Sequence, residues 1–197
     1  MRHNPARRAA LLDAAIEVLA REGARGLTFR AVDAEASVPN GTASNYFSHR
    51  DDLLVQVAHR VYERLEPEQA VFAAALAGPK DRDRVVELMR EVVGRVGAFR
   101  PGFLALLELR LEATRRPALR RLLTERVRAD VDANVEFHGR AGLPGDGTTV
   151  VALYLALNWL ILERLTLPGV FPDGDGGDLV EDLVRRILPA PAGEPGV

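Results

Sequence analysis

The chain has 197 residues, 28 acidic against 26 basic side chains, a formal net charge of −2 and a hydrophobic fraction of 47%. That length and composition suit one large globular domain, or a small one joined to a larger, and the charge excludes binding to nucleic acid through the overall field, so any DNA contact must come from a local patch. The lack of cysteine excludes disulfide scaffolds, thiolate zinc sites and cysteine nucleophiles.

Hydrophobic spacing is helical almost everywhere and no segment alternates with period two, so an all-α fold is expected. The opening MRHNPARRAA has no apolar core of a secretory signal. A first helix runs from Pro5 to Glu22 on the stripe Leu12, Ala15, Ile16 and Leu19, with Gly23 as its stop. Thr28 then caps a short helix whose inner face is Phe29, Val32 and Ala36. A turn at Ser37 to Asn40 leads to a third short helix over Gly41 to Phe47. A fourth begins at Arg50 and carries Leu54, Val57, Ala58, Val61 and Leu65 on one face, up to Pro67. PEQAVFAAALAG is a short helical candidate, and Val85, Leu88, Met89, Val92, Val96 and Phe99 mark the next helix. Pro101 and Pro117 each open another. After the turn GLPGDG, Thr148 or Thr149 caps a strongly apolar helix to about Leu167. Its apolar run, Val150 to Leu162, is too short to span a bilayer and contains Asn158, so a cytoplasmic protein without membrane contact is expected. The loop PGVFPDGDGGD precedes a last helix with Leu179, Leu183 and Ile187, and the Pro/Gly-rich tail reads as disordered.

The chemistry concentrates in TFRAVDAEASVPNGTASNYF, a helix, a turn and a second helix within about 20 residues, the layout that places a reading helix in the major groove. Phe29, Val32, Ala36, Val38, Ala43 and Phe47 form the inside, which leaves Thr42, Ser44, Asn45 and Tyr46 outward. Hydroxyls, an amide and a phenol reach phosphates and base edges on short stems. Thr28, Gly41 and Arg50 lie at helix N-termini, where free N–H groups attract phosphate. Arg30, Asn40 and His49 complete the candidate DNA-contacting set.

The stretch from Gly26 to Leu54 resembles the signature of the TetR repressor family. The matching positions are Thr28, Val32, Ala36, Val38, Gly41, Thr42, Tyr46, Phe47, Arg50, Leu53 and Leu54. Ser37 stands where the family often has Gly, Asn40 where it often has Lys, and Ala43 and Ser44 where it often has Leu-Tyr. The resemblance implies about nine helices: a DNA-binding domain at residues 1–49, a connecting helix at 50–66, a ligand-binding and dimerisation domain at 67–190 and a disordered tail at 191–197. It implies a regulator, ordinarily a repressor, that binds double-stranded palindromic operator DNA as a homodimer.

The helix around Val150, Tyr154, Leu157 and Ile161 is apolar on nearly every side, so it must be buried on nearly every side. Paired with Leu179, Leu183 and Ile187 of the last helix, it is the expected dimer face, as the resemblance also implies. A small, mostly apolar effector is expected among Met89, Phe99, Phe103, Leu107, Phe137 and Trp159, with Glu108 or Asn158 orienting it, because in similar proteins these helices enclose a cavity. The alternatives are a regulator without an effector and a helical interaction protein that binds no DNA. No catalytic constellation is found: His3, His49, His59 and His138 lack metal-ligand spacing, and no phosphate loop or nucleophile elbow occurs. Asp173, Asp175 and Asp178 suggest a calcium loop, but Val184 stands where its bidentate glutamate belongs, so no metal or other cofactor is expected.

Overall fold

The computed structural model describes residues 4–66, 73, 76–171 and 178–189, and within them every regular element is helical. Asn4 caps α1 (Pro5–Gly26) by accepting from the Ala6 and Arg7 amides, and Pro5 follows at a position where no N–H is needed. The regular turns stop at Gly23 (φ 68°, ψ −177°), a backbone conformation that only glycine adopts readily. Thr28 accepts from the Ala31 amide to open α2 (Phe29–Glu35), as its position in the sequence predicts. The expected third helix is shorter and tighter than predicted: a turn at residues 40–42 leads into a single 3₁₀ turn, Ala43–Asn45. α3 (Arg50–Leu65) has the predicted start and inner face, with His49 as its cap.

α4 (Arg82–Ala98), α5 (Arg100–Ala113) and α6 (Pro117–Ala141) follow. α7 (Gly147–Thr166) begins two or three residues earlier than a cap at Thr148 or Thr149 suggests. Its cap is Asp146, which accepts from the Thr149 amide, while Thr149 Oγ1 accepts from the Asp146 amide. Thr149 is therefore the third helical residue of a reciprocal capping box rather than the cap itself. α8 (Leu179–Ile187) is capped by Asp178, whose Oδ1 accepts from the Val180 and Glu181 amides. Asp178 thus has a helix-capping task in the loop considered for calcium; Asp173, Asp175, most of the PEQAVFAAALAG segment and the C-terminal tail lie outside the described residues.

Two units form. The first comprises Met1–Glu66 and Phe99–Arg126, so α5 and the start of α6 join the N-terminal helices. Its core is built from Leu11, Ala15, Ile16 and Leu19 of α1, Val32 of α2, Leu53, Leu54, Val57 and Val61 of α3, and Ala105, Leu109, Leu119 and Leu123. Each large aliphatic side chain buried there contributes about 1.5–3 kcal/mol. The second unit, Pro67–Ala98 and Val127–Val197, packs Val85 and Leu88 of α4 against Leu153, Leu157 and Leu160 of α7 and Val180 and Val184 of α8.

Candidate nucleic-acid interface

The helix-turn-helix segment is fastened from within. Val32, Ala43 and Phe47 are buried in the first core, and Phe29, Ala36, Val38 and Tyr46 pack against it at its edge. All six predicted inner positions thus pack in or against one core. Ser37 bridges the two halves in the left-handed conformation (φ 53°), which explains why glycine suits this position.

Asp33, which no sequence pattern marks, fixes the second half. It is 1% exposed, and its carboxylate receives the Gly41 amide on Oδ2 and the Ala43 amide on Oδ1, both at 2.7 Å. One buried side chain thereby ties α2 to the turn and to the 3₁₀ segment. An acidic residue in a short helix that also holds Glu35 carries no pattern for this role; its partners lie eight and ten residues ahead, across a turn whose path the sequence does not specify.

This arrangement corrects one expectation. The Gly41 N–H is taken by Asp33 and is not available to a phosphate. Gly41, at φ 89°, instead offers its carbonyl to Ser44 Oγ at 2.8 Å and to Asn45 Nδ2 at 3.0 Å. Thr42 Oγ1 donates to the Pro39 carbonyl at 2.6 Å. Asn40, Gly41, Ser44 and Asn45 are exposed, Thr42 and Tyr46 half-buried, so these polar groups share a rim above Ala43 and Phe47. Thr28 and Arg30 are also exposed, but the Thr28 hydroxyl is occupied as a cap.

At the start of α3, His49 Nδ1 accepts from the Asp52 amide at 3.0 Å, so the predicted contact residue is also the helix cap. Asp52 in turn accepts from the Ser48 amide and hydroxyl and from Gln56. Burial raises the pKa of Asp52, but these hydrogen bonds and the neighbouring His49 outweigh it and hold the carboxyl below its usual range. Arg50 is half-buried and donates through Nη2 to the Ala24 carbonyl. Its guanidinium is therefore engaged in holding the end of α1, and its replacement does not isolate a phosphate contact.

The eight residues expected around an effector fall in both units. Phe99, Phe103, Leu107 and Glu108 belong to the first; Met89, Phe137, Asn158 and Trp159 belong to the second. Phe99 lies under the Arg64 guanidinium, 3.8 Å from ring centroid to Cζ. Phe103 is buried and Leu107 half-buried, and Met89 and Phe137 pack against the second core. Both polar candidates have tasks within the protein: Glu108 Oε2 accepts the Ala24 amide at 2.9 Å, and Asn158 Nδ2 donates to the Tyr154 carbonyl at 2.7 Å. Trp159 is 63% exposed on its own chain, on the outer side of α7. A groove of about 740 Å³ in the first unit is lined by none of the eight; Arg8, His59, Tyr62, Arg121 and Arg126 are among its walls.

Of the expected dimer residues, Val150, Leu157 and Ile161 are buried within the protomer, and Tyr154, Leu179, Leu183 and Ile187 are half-buried. The apolar side chains that α7 leaves exposed are Val151, Leu155 and Trp159, spaced by four. By length and composition α7 also passes as a membrane span. Among the described residues no group of His, Asp or Glu side chains is arranged to hold a metal ion.

Residues 11–57 match the family described as bacterial regulatory proteins, tetR family, and residues 80–190 match the tetracyclin repressor-like C-terminal domain. The regulator BetI of Rhizobium meliloti (strain 1021) is 32% identical over 75% of this chain and 71% of its own length. An uncharacterised HTH-type transcriptional regulator of Xanthobacter autotrophicus is 34% identical, and there the match spans only 42% of the relative. Among solved structures, a TetR family member from Streptomyces coelicolor A3 superposes with a TM-score of 0.68 at 31% identity, covering 94% of this chain and 100% of that one. The multidrug binding protein EbrR, complexed with ethidium, gives 0.64 at 33% identity, covering 94% and 100%. With the signature, the packed helix-turn-helix and a C-terminal match over more than half of the chain, this protein belongs to the TetR family of helix-turn-helix transcriptional regulators.

Proposed function

We propose that the protein is a cytoplasmic repressor that binds palindromic operator DNA as a homodimer and is released by a small, mostly apolar effector. The observation that carries the DNA reading is the polar rim of Thr42, Ser44, Asn45 and Tyr46, held over Ala43 and Phe47 by the buried Asp33 carboxylate. The rim is tied down by hydrogen bonds to Asp33, Pro39 and Gly41 and carries hydroxyl and amide groups on short stems beside the Tyr46 phenol, as base and phosphate contacts require. The exposed stripe Val151, Leu155 and Trp159 supports a second copy as the cover of α7. A dyad then sets two rims about one helical turn of DNA apart. The effector reading draws on EbrR, which is complexed with ethidium and with malachite green, and on Met89 and Phe137 at the edge of the second core. Glu108 and Asn158 each spend one polar atom within the protein, Oε2 on the Ala24 amide and Nδ2 on the Tyr154 carbonyl, which leaves Oε1 and Oδ1 as the atoms that would orient an effector.

Footprinting of the DNA upstream of the protein's own gene, followed by gel shift, tests this reading. We expect an inverted repeat to be protected, Tyr46→Ala to weaken binding to all sequences and Asn45→Ala to weaken discrimination between them. We expect an aromatic cation such as ethidium to raise the melting temperature and lower operator affinity together, as linkage demands. No footprint would overturn the DNA reading. A stabilising compound that leaves operator affinity unchanged would overturn only the release mechanism.

A further inference from the structure

The end of α1 is held by two helices far from it in sequence. After the break at Gly23, the Ala24 peptide is gripped on both sides: its N–H donates to Glu108 Oε2 of α5 at 2.9 Å, and its carbonyl accepts from Arg50 of α3. Ala24 is 7% exposed, so its amide depends on partners within the protein. Three and four residues on come Leu27, fully buried, and Thr28, the cap of α2. The direction in which the chain leaves this bend therefore sets the direction of α2, to which the reading turn is tied through Asp33. One turn along α5, Glu112 holds Arg116, which also pairs with Asp51 in the first turn of α3. α5 thus braces the chain just before the helix-turn-helix and just after it.

We propose that Glu108 is a positioning residue for DNA reading: its carboxylate fixes the bend between α1 and α2, and thereby the angle at which the 3₁₀ turn meets the groove. This rests on the DNA reading above. Glu108 touches no base or phosphate; it acts through the Ala24 amide. What matters is an acceptor oxygen at that reach, because an amide buried without a partner is costly and the bend relaxes to find one.

The test separates reach from charge. Glu108→Gln keeps an acceptor at the same distance and loses the charge; Glu108→Asp keeps the charge and falls one methylene short. Operator affinity is measured for both by gel shift, well below melting temperatures determined in parallel, with amide exchange at Ala24 as the structural readout. We expect Glu108→Gln to bind within about threefold of the parent, and Glu108→Asp to bind about tenfold more weakly with faster exchange at Ala24. A folded Glu108→Asp variant that binds like the parent overturns the proposal, and so does a Glu108→Gln variant as weak as Glu108→Asp, since charge rather than reach would then be responsible. If Glu108→Asp does not fold, the comparison of Glu108→Gln with Glu108→Ser decides on the same criterion. A parent protein that protects no DNA removes the DNA reading itself, and is recognised before any variant is made.

Discussion

At the scale of single residues, the helix-turn-helix depends on a buried charge that is matched by donors rather than by a counter-ion. The two oxygens of Asp33 face two amide N–H groups, from Gly41 and Ala43, each at 2.7 Å. Hydrogen bonds of this charge-assisted kind are worth about 1.5–3 kcal/mol, more than neutral ones. Asparagine has nearly the same shape but only one acceptor, so one of the two N–H groups would face an NH₂ instead. We expect Asp33→Asn to destabilise the protein by about 2 kcal/mol, seen as a lower urea midpoint at unchanged slope. It should also weaken operator binding at temperatures where the variant is folded. Unchanged stability would mean that the turn holds itself. Ser37 is the opposite case: a non-glycine residue at φ 53°, where a side chain costs about 1–2 kcal/mol.

At the scale of elements, the helices were legible where their apolar spacing was long and unbroken. α3 follows the pattern of Leu54, Val57, Ala58 and Val61, and α1 breaks at Gly23 as predicted. The reading segment was less legible, since a seven-residue stretch of five small residues and two aromatics does not distinguish one 3₁₀ turn from a helix. Polar residues in apolar runs have partners within the protein that their spacing does not show. Glu108 interrupts FLALLELRLEA and reads as a ligand anchor, but its partner is a backbone amide 84 residues away, a pairing that only the packing of α1 on α5 creates. The same helix ends in a charge cluster that sequence spacing half reveals. Glu112, 8% exposed, accepts from Arg115 and Arg116, and these hydrogen bonds outweigh burial to hold its carboxyl below the usual glutamate value of 4.5. A lowered folded-state pKa means that the stabilisation is present above that value and is lost as pH falls through the folded-state pKa. We therefore expect Glu112→Gln to lower the urea midpoint near neutral pH, by about 1 kcal/mol in stability, and the difference from the parent to shrink on acidification below pH 4.5. A gap that does not change with pH would show that packing, not charge, accounts for it.

At the scale of the whole molecule, α7 carries a stripe of exposed apolar side chains that its own unit does not cover. Val151, Leu155 and Trp159 are 38%, 62% and 63% exposed and fall one turn apart, while Leu153 and Leu157 of the same helix are 3% exposed in the second core. The sequence tells that this helix is apolar all round but not which side its own chain covers, and Leu157, expected at the interface, lies inside the protomer. An arginine at Leu157 would put an unpaired charge in that core and unfold the unit, with no bearing on assembly. Leu155 is the informative position. Among the described residues it is an exposed apolar side chain, so an arginine there leaves the protomer core untouched, whereas at a two-fold interface each copy would bring a charge into the contact. A dimer makes binding of the second half-site effectively intramolecular, and that gain disappears when the copies separate. We expect the unmutated chain to scatter light as a dimer at micromolar concentration and Leu155→Arg as a monomer with an unchanged helical circular dichroism spectrum. Operator affinity should fall by about a hundredfold or more in the variant, and the remaining binding should no longer depend on the second half of the inverted repeat. A Leu155→Arg variant that stays dimeric would place the interface elsewhere, and an unmutated monomer would leave the stripe on α7 without the partner assigned to it.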